Sequence, residues 1–197
     1  MPLKTVPLKT LPMETLSLKR IAIVGSSCSG KTTLSKILES RLGLRRIELD
    51  AINWQPNWQE LDYTEFKEIV TRETEADEWI VDGNYNSRMK GLVLQRADTI
   101  IWLNLPFLTV YSRFFSRSYQ RVVVGEELWN GNRENLRNAL FEKDSLLYWI
   151  PRRYWKIRKG YRRFFSRPEH LDKLIEFTDA GSIDTWLESL AAPDHLA

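Results

Sequence analysis

Short apolar runs alternate with amphipathic stretches along most of the chain. Arg20–Val24 is a β-branched run that feeds into a loop of glycine and serine. Behind it, Lys31–Leu42 places Leu34, Ile37, Leu38 and Leu42 on one helical face, and Gly43 supplies a C-terminal stop. Arg45–Leu49 reads as a second strand ending on Asp50. The turn formers Asn53, Pro56 and Asn57 follow, then a helix from about Asp62 to Glu75. Trp79–Val81 is a third strand ending on Asp82-Gly83. Thr99–Leu105 is a fourth, apolar throughout, as expected of a strand covered on both faces. A helix from about Leu108 to Gln120, a fifth strand at Leu174–Phe177 and a closing helix at Ile183–Leu190 complete the pattern. The alternation predicts one α/β domain over residues 19–197, a five-stranded parallel sheet flanked by helices. Residues 121–167 break the rhythm and read as a helical, lid-like insertion over the mouth of the sheet.

Composition narrows the setting. The chain has 197 residues, enough to bury a core without disulfides or structural metal, and Cys28 is its only cysteine. No apolar run approaches the roughly 20 residues needed to cross a bilayer, and the N-terminus lacks the apolar stretch of a signal peptide. Residues 1–18, rich in proline and carrying a duplicated tetrapeptide, read as a disordered extension. The cytoplasm is the expected location. The net charge is only +3, but it is unevenly spread: eleven carboxylates against Lys67 and Arg72 from Ile47 to Ser87, and eight Lys/Arg with no acid from Arg152 to Arg167.

The loop after the first strand carries the strongest chemical signal. Gly25, Ser26, Ser27, Cys28, Ser29, Gly30, Lys31 and Thr32 fit G-x-x-x-x-G-K-[ST] in full, between a strand and a helix, with Thr33 next in line. Glycines let successive backbone N–H groups turn inward around a phosphate, and the helix directs its positive end at the same anion. Lys31 is expected to reach the β- and γ-phosphates, and the Thr32 hydroxyl to ligate Mg²⁺. ATP and Mg²⁺ are therefore the expected cofactors. Cys28, near a helix N-terminus, is either a small residue that fits the loop or a thiol that makes nucleotide binding sensitive to alkylation.

Four stretches carry a family resemblance: Ile21–Thr33; Glu48-Leu49-Asp50 with Trp54-Gln55-Pro56; Val81-Asp82-Gly83-Asn84-Tyr85; and Leu128-Trp129-Asn130-Gly131-Asn132-Arg133-Glu134. From about Arg20 to Leu190 the chain resembles the adenylate-kinase-related P-loop proteins often labelled DNA topology modulation protein, or FlaR-like. The resemblance implies a nucleoside-monophosphate-kinase-like fold with ATP as donor. Where relatives tend to carry Asp after the fourth strand, this chain has Asn104, which leaves Asp82 as the better partner for Mg²⁺.

The acceptor side is read from the residues after the second strand. Asp50 stands where open α/β sheets place their ligands and is the candidate base for an attacking hydroxyl; the alternative is a turn cap. Ala51–Val70 contains no arginine to grip an acceptor phosphate but does contain Trp54 and Trp58. These rings and Asp50 suit a neutral or cationic hydroxyl acceptor, whereas Arg88 could still bind an anion such as a nucleoside monophosphate. Arg113, Arg117 and Arg121 recur every four residues and are candidates to stabilise the migrating phosphoryl group, against a plain solvated face. The expected function is an ATP-dependent small-molecule kinase. The rival is a nucleotide-regulated DNA- or RNA-binding protein using the basic, aromatic Arg152–Arg167 segment.

Overall fold

The computed structural model describes residues 16–124, 127–132 and 146–190. Strands β1 (Arg20–Gly25), β2 (Arg46–Glu48), β5 (Trp79–Asp82), β6 (Thr99–Leu103) and β7 (Leu174–Phe177) form one parallel sheet in the order β2-β5-β1-β6-β7. All five expected strands are present. The period of two along each strand sorts side chains to opposite faces. Ile21 and Ile23 join Ile80, Ile101 and Leu103 beneath helices α1 (Lys31–Leu42) and α8 (Ala180–Leu190). Ala22, Val24, Trp79, Val81, Ile100 and Trp102 point the other way, toward α3 (Tyr63–Glu73) and α4 (Leu92–Arg96). Burial on both faces explains why β6 is apolar from Ile100 to Leu103.

Several boundaries differ from the sequence expectation. Strand β2 ends at Glu48, and Leu49–Asn53 winds into one helical turn, α2, so Asp50 lies in that turn and not at a strand end. Leu49, the first residue of this turn, is buried against the core. Trp54–Gln55 and Gln59–Glu60 then pair as a small antiparallel hairpin, β3 and β4, across a tight turn at Pro56–Trp58. Strand β6 stops at Leu103, because the Asn104 N–H turns back to the Trp102 carbonyl and across to that of Phe177. Helix α3 starts at an N-cap: the Asp62 carboxylate accepts from Thr64 and Glu65 N–H, which holds its carboxyl below the usual range. Helix α5 (Phe107–Val124) is longer than expected. Residues 1–15 of the expected N-terminal extension lie outside the described residues. Leu16 and Leu18 pack on the core and the Ser17 carbonyl accepts from Thr99 Oγ1, so ordered structure begins before residue 19.

The largest departure concerns the expected insertion. Residues 133–145 lie outside the described residues, but helix α6 (Leu146–Phe165) is a layer of the core. Its Tyr154, Tyr161 and Phe165 are only 3%, 6% and 0% exposed. Phe165 and Tyr161 stack on each other and pack against Trp102 of β6. Three of the aromatics that gave this segment a nucleic-acid character, Tyr154, Tyr161 and Phe165, thus form an inward stripe, while Trp155 is exposed and Arg152, Arg153, Lys156, Lys159, Arg162 and Arg163 face solvent. A one-turn helix, α7 (Pro168–Leu171), then leads into β7. Among the described residues no helix is long and apolar enough to cross a membrane.

If α6 is a core helix, Phe165→Ala lowers unfolding stability by ~3–5 kcal/mol in urea denaturation. Lys159→Ala on the outer face stays within ~0.5 kcal/mol of wild type. A silent Phe165→Ala would return the helix to the role of a detached lid.

Candidate functional site

The phosphate loop leaves β1 at the centre of the sheet, at the carboxyl ends of the strands, where α/β folds bind ligands. Its geometry depends on close approach. A Cβ at Gly25 would stand 2.7 Å from the Leu103 carbonyl oxygen and 2.8 Å from Ser29 Oγ, so only glycine fits. Cys28 adopts φ 61° and Gly30 φ 101°, and the Ser29 N–H closes back on the Ser26 carbonyl at 3.2 Å. Gly30 is the N-cap of α1, so Lys31, Thr32 and Thr33 open that helix. The Lys31 ammonium donates to the Ser26 carbonyl at 3.0 Å, folded over the loop it serves. Cys28 packs against the cluster of Leu105, Val110 and Tyr154, which accounts for a small apolar side chain at that position.

One short segment, Asp82-Gly83-Asn84-Tyr85, ties this loop to its surroundings. Asp82 ends β5 and is 3% exposed. Burial raises its carboxyl pKa, and the Lys31 charge and a hydrogen bond with the Thr32 hydroxyl pull it back only in part. Ser35 Oγ adds a contact at 3.4 Å. An incompletely compensated buried carboxylate beside the Thr32 hydroxyl fits a hard divalent cation, and these are the residues that would hold Mg²⁺. Among the described residues no cluster of three or more His, Cys, Asp or Glu forms a metal cage, so nucleotide phosphates and water would complete the coordination. Gly83 lets this segment pass α2, because a Cβ there would lie 2.8 Å from that of Leu49. The Asn84 amide pairs with both backbone groups of Gly25. Tyr85 donates its hydroxyl to Asp50 Oδ1 at 2.7 Å, and burial with the neighbouring Asp50 charge raises the phenol well above its usual pKa.

Asp50 therefore faces the same cleft as Asp82; the charges of Glu48 and Asp50 both act on the Asp82 carboxyl. Glu48 is held on two sides, by Trp129 Nε1 at 2.9 Å and Arg46 Nη1 at 2.8 Å. Beyond Asp50, Trp54, Trp58 and Trp129 meet edge to face, with centroids 5.7 and 6.4 Å apart. The Trp129–Asn132 motif, for which sequence offered no chemistry, braces this wall. Asn130 donates to the Trp54 carbonyl, and Asn132 bonds the Gln55 carbonyl and the Trp58 N–H. Arg133 and Glu134 of the motif lie outside the described residues.

Arg88 is engaged in the same bracing. It donates to Asn53 Oδ1, to Glu60 Oε2 at 3.2 Å and to the Leu61 carbonyl, and its guanidinium lies over the Phe66 ring. Its charge is spent within the protein. Of the three arginines on α5, Arg113 reaches the loop, donating to the Ser29 carbonyl at 3.0 Å. Arg117 follows one turn later, with its buried Nε lacking a hydrogen-bond partner. Arg121 is ~12 Å beyond Arg113 along the axis. Arg158 on α6 escaped sequence reasoning among its seven basic neighbours. It rests its guanidinium over Tyr154 and Trp155, and its Nε too is buried without a partner. Its spacing from the buried Tyr154 and Tyr161, at i+4 and i−3, would have identified it as the inward cation. Asn104 is locked to Glu176 between β6 and β7.

No family model matches the chain, and no curated protein matches it by sequence. Solved structures do match. A shikimate kinase from Acinetobacter baumannii in complex with shikimate aligns at TM-score 0.55 and 16% identity, over 90% of this chain and 93% of that one. A shikimate kinase from Bacteroides thetaiotaomicron aligns at 0.54 and 15%, over 88% and 97%. The shikimate kinase from Aquifex aeolicus aligns at 0.50 and 14%, over 87% and 98%. Identity this low speaks for the fold alone: the chain shares the α/β architecture of these structures along nearly its whole length.

Proposed function

We propose that the chain is an ATP-dependent phosphotransferase that moves the γ-phosphoryl group of Mg-ATP to a hydroxyl of a small acceptor. The observation that carries this reading is the link from Asp50 to the phosphate loop through Asp82-Gly83-Asn84-Tyr85, which supports Asp50 as a base on the acceptor side of that loop. The loop N–H groups bind the β- and γ-phosphates, and Lys31 leaves the Ser26 carbonyl to bridge them. Asp50, oriented by Tyr85, accepts the proton of the acceptor hydroxyl as its oxygen attacks the γ-phosphorus, and ADP departs. Arg113 and Arg117 balance the charge on the migrating group. Mg²⁺, held by Thr32 and Asp82, would supply charge neutralisation across the phosphates.

The acceptor is neutral or carries an amine. Arg88 is paired with the Glu60 carboxylate and held by Asn53 and the Leu61 carbonyl, and Glu48 is paired with Arg46, which leaves Asp50 and the tryptophan wall to meet the acceptor. Resemblance to the DNA topology modulation, FlaR-like proteins supports a place for the chain in that branch of P-loop kinases. The likeness to shikimate kinases supports a hydroxyl-bearing substrate in preference to a nucleic acid. The basic outer face of α6 remains a solvated surface in this reading.

With Mg-ATP and a panel of nucleosides, sugars, aminocyclitols and nucleoside monophosphates, ADP release should be stimulated by an uncharged or amine-bearing hydroxyl compound. In Asp50→Asn that stimulation falls by about 10²–10⁴-fold while Mg-ADP still binds, the magnitude expected for a lost general base. Stimulation by a nucleoside monophosphate alone would shift the acceptor assignment to Arg88.

Asp82→Asn separates stability from activity. Burial raises the folded pKa of Asp82, so its ionised form costs stability at neutral pH, and that cost fades as pH falls through the raised value. Asp82→Asn should therefore keep or raise the melting temperature at pH 7 while acceptor-dependent turnover drops at least about tenfold. A variant that unfolds more readily at pH 7 would assign Asp82 to the scaffold.

A further inference from the structure

At Gly25, β1 gives way to the phosphate loop, and both backbone groups of this residue are taken by one side chain. The Gly25 N–H donates to Asn84 Oδ1 at 3.2 Å, and Asn84 Nδ2 donates to the Gly25 carbonyl. The amide acts here as one residue of a neighbouring strand would. Its Oδ1 accepts a second bond, from Tyr161 Oη of α6 at 3.2 Å. Tyr161 is fixed in turn. It is buried, lies nearly parallel to Phe165 at 5.4 Å and packs against Trp102 of β6.

Gly25 has no side chain to hold it and no room for one, with Leu103 on one flank and Ser29 on the other. A displacement of Gly25 would carry the next residue with it, and the Ser26 carbonyl supports both the Ser29 turn and the Lys31 ammonium. Phosphate binding by a ring of N–H groups tolerates little such displacement, because hydrogen bonds weaken steeply with distance and angle.

We propose that Asn84 is the positioning residue of the phosphate loop and that Tyr161 makes the loop's geometry answer to α6. The inference rests on nucleotide binding at this loop and not on the acceptor. Helix α6 also carries Tyr154, whose hydroxyl donates to the Leu105 carbonyl and accepts from Arg158, so the helix is fixed to the sheet on both sides of Tyr161.

The test is calorimetric titration with Mg-ADP of wild type, Asn84→Ala, Asn84→Asp and Tyr161→Phe, with a melting curve for each. Asn84→Ala should weaken binding about tenfold, from the loss of two modest hydrogen bonds. Tyr161→Phe keeps the packed ring and should weaken binding about threefold with the melting temperature nearly unchanged. Asn84→Asp loses the donor to the Gly25 carbonyl and should bind no better than the alanine variant. Weakened binding in Asn84→Ala with a melting temperature close to wild type is the expected result, and a loss of affinity that only follows a lowered melting temperature would overturn the positioning role. Tyr161→Phe binding like wild type would overturn the link to α6. Failure of wild type itself to bind Mg-ADP would overturn the kinase reading, and this inference with it; normal wild-type binding with unaltered variants would overturn this inference alone.

Discussion

The site is organised around a buried carboxylate that the protein alone does not fully satisfy. Asp82 ends a strand that lies between β1 and β2, so sheet hydrogen bonds fix its backbone on both sides. The surrounding apolar layers remove it from water, which raises the cost of its charge. Lys31, Thr32 and Ser35 answer part of that cost, and all three belong to the phosphate loop and the helix it opens. Burial and nucleotide chemistry are thus joined at one atom pair. A cation between Asp82 and Thr32 would complete the compensation, which is the physical reason to assign the metal there.

From Asp82 the chain distributes three different tasks over four residues. Asp82 meets Lys31 and Thr32, Asn84 holds Gly25, and Tyr85 orients Asp50, while Gly83 allows the segment to pass Leu49. Donor loop, metal position and candidate base are consequently referred to one short piece of backbone. The acceptor side is stiffened separately: Arg88 and the Trp129–Asn132 turn both bond to the β3–β4 hairpin and its flanks. Rigid placement of this kind suits in-line transfer, which depends on alignment more than on covalent chemistry.

The phosphate loop and the sheet were legible because their signals are local: a fixed spacing of glycines and period-two apolar runs. What sequence could not supply was long-range pairing. Nothing in Asn84 alone says that its amide reaches Gly25, 59 positions away, and nothing in Trp129 says that its indole bonds Glu48. The α6 segment was misjudged for a different reason. Eight cations drew attention to its charge, while Tyr154, Tyr161 and Phe165, at i, i+7 and i+11, carried the helical period that placed one face in the core. The β3–β4 hairpin, with strands of two residues, falls below any period that a pattern can display.

Charge divides the cleft into two sides, and that division gives the reaction its direction. On the donor side stand Lys31, Arg113 and the N-terminus of α1, with Arg117 and Arg158 each holding a buried Nε that has no partner. A buried guanidinium nitrogen with no hydrogen-bond partner among the described residues is an unfavourable arrangement that phosphate oxygens would relieve. On the acceptor side stand Glu48, which is paired with Arg46, and Asp50, while Arg88 is bonded to Asn53, Glu60 and Leu61. In the proposed reading a triphosphate would be drawn to the first side, and a hydroxyl or amine would find hydrogen-bond acceptors and aromatic faces on the second. Specificity of this kind arises as much from repulsion of the wrong ligand as from attraction of the right one. If the proposed acceptor assignment holds, freeing a cation on the acceptor side, rather than removing one from the donor side, is the change that would favour a phosphorylated acceptor.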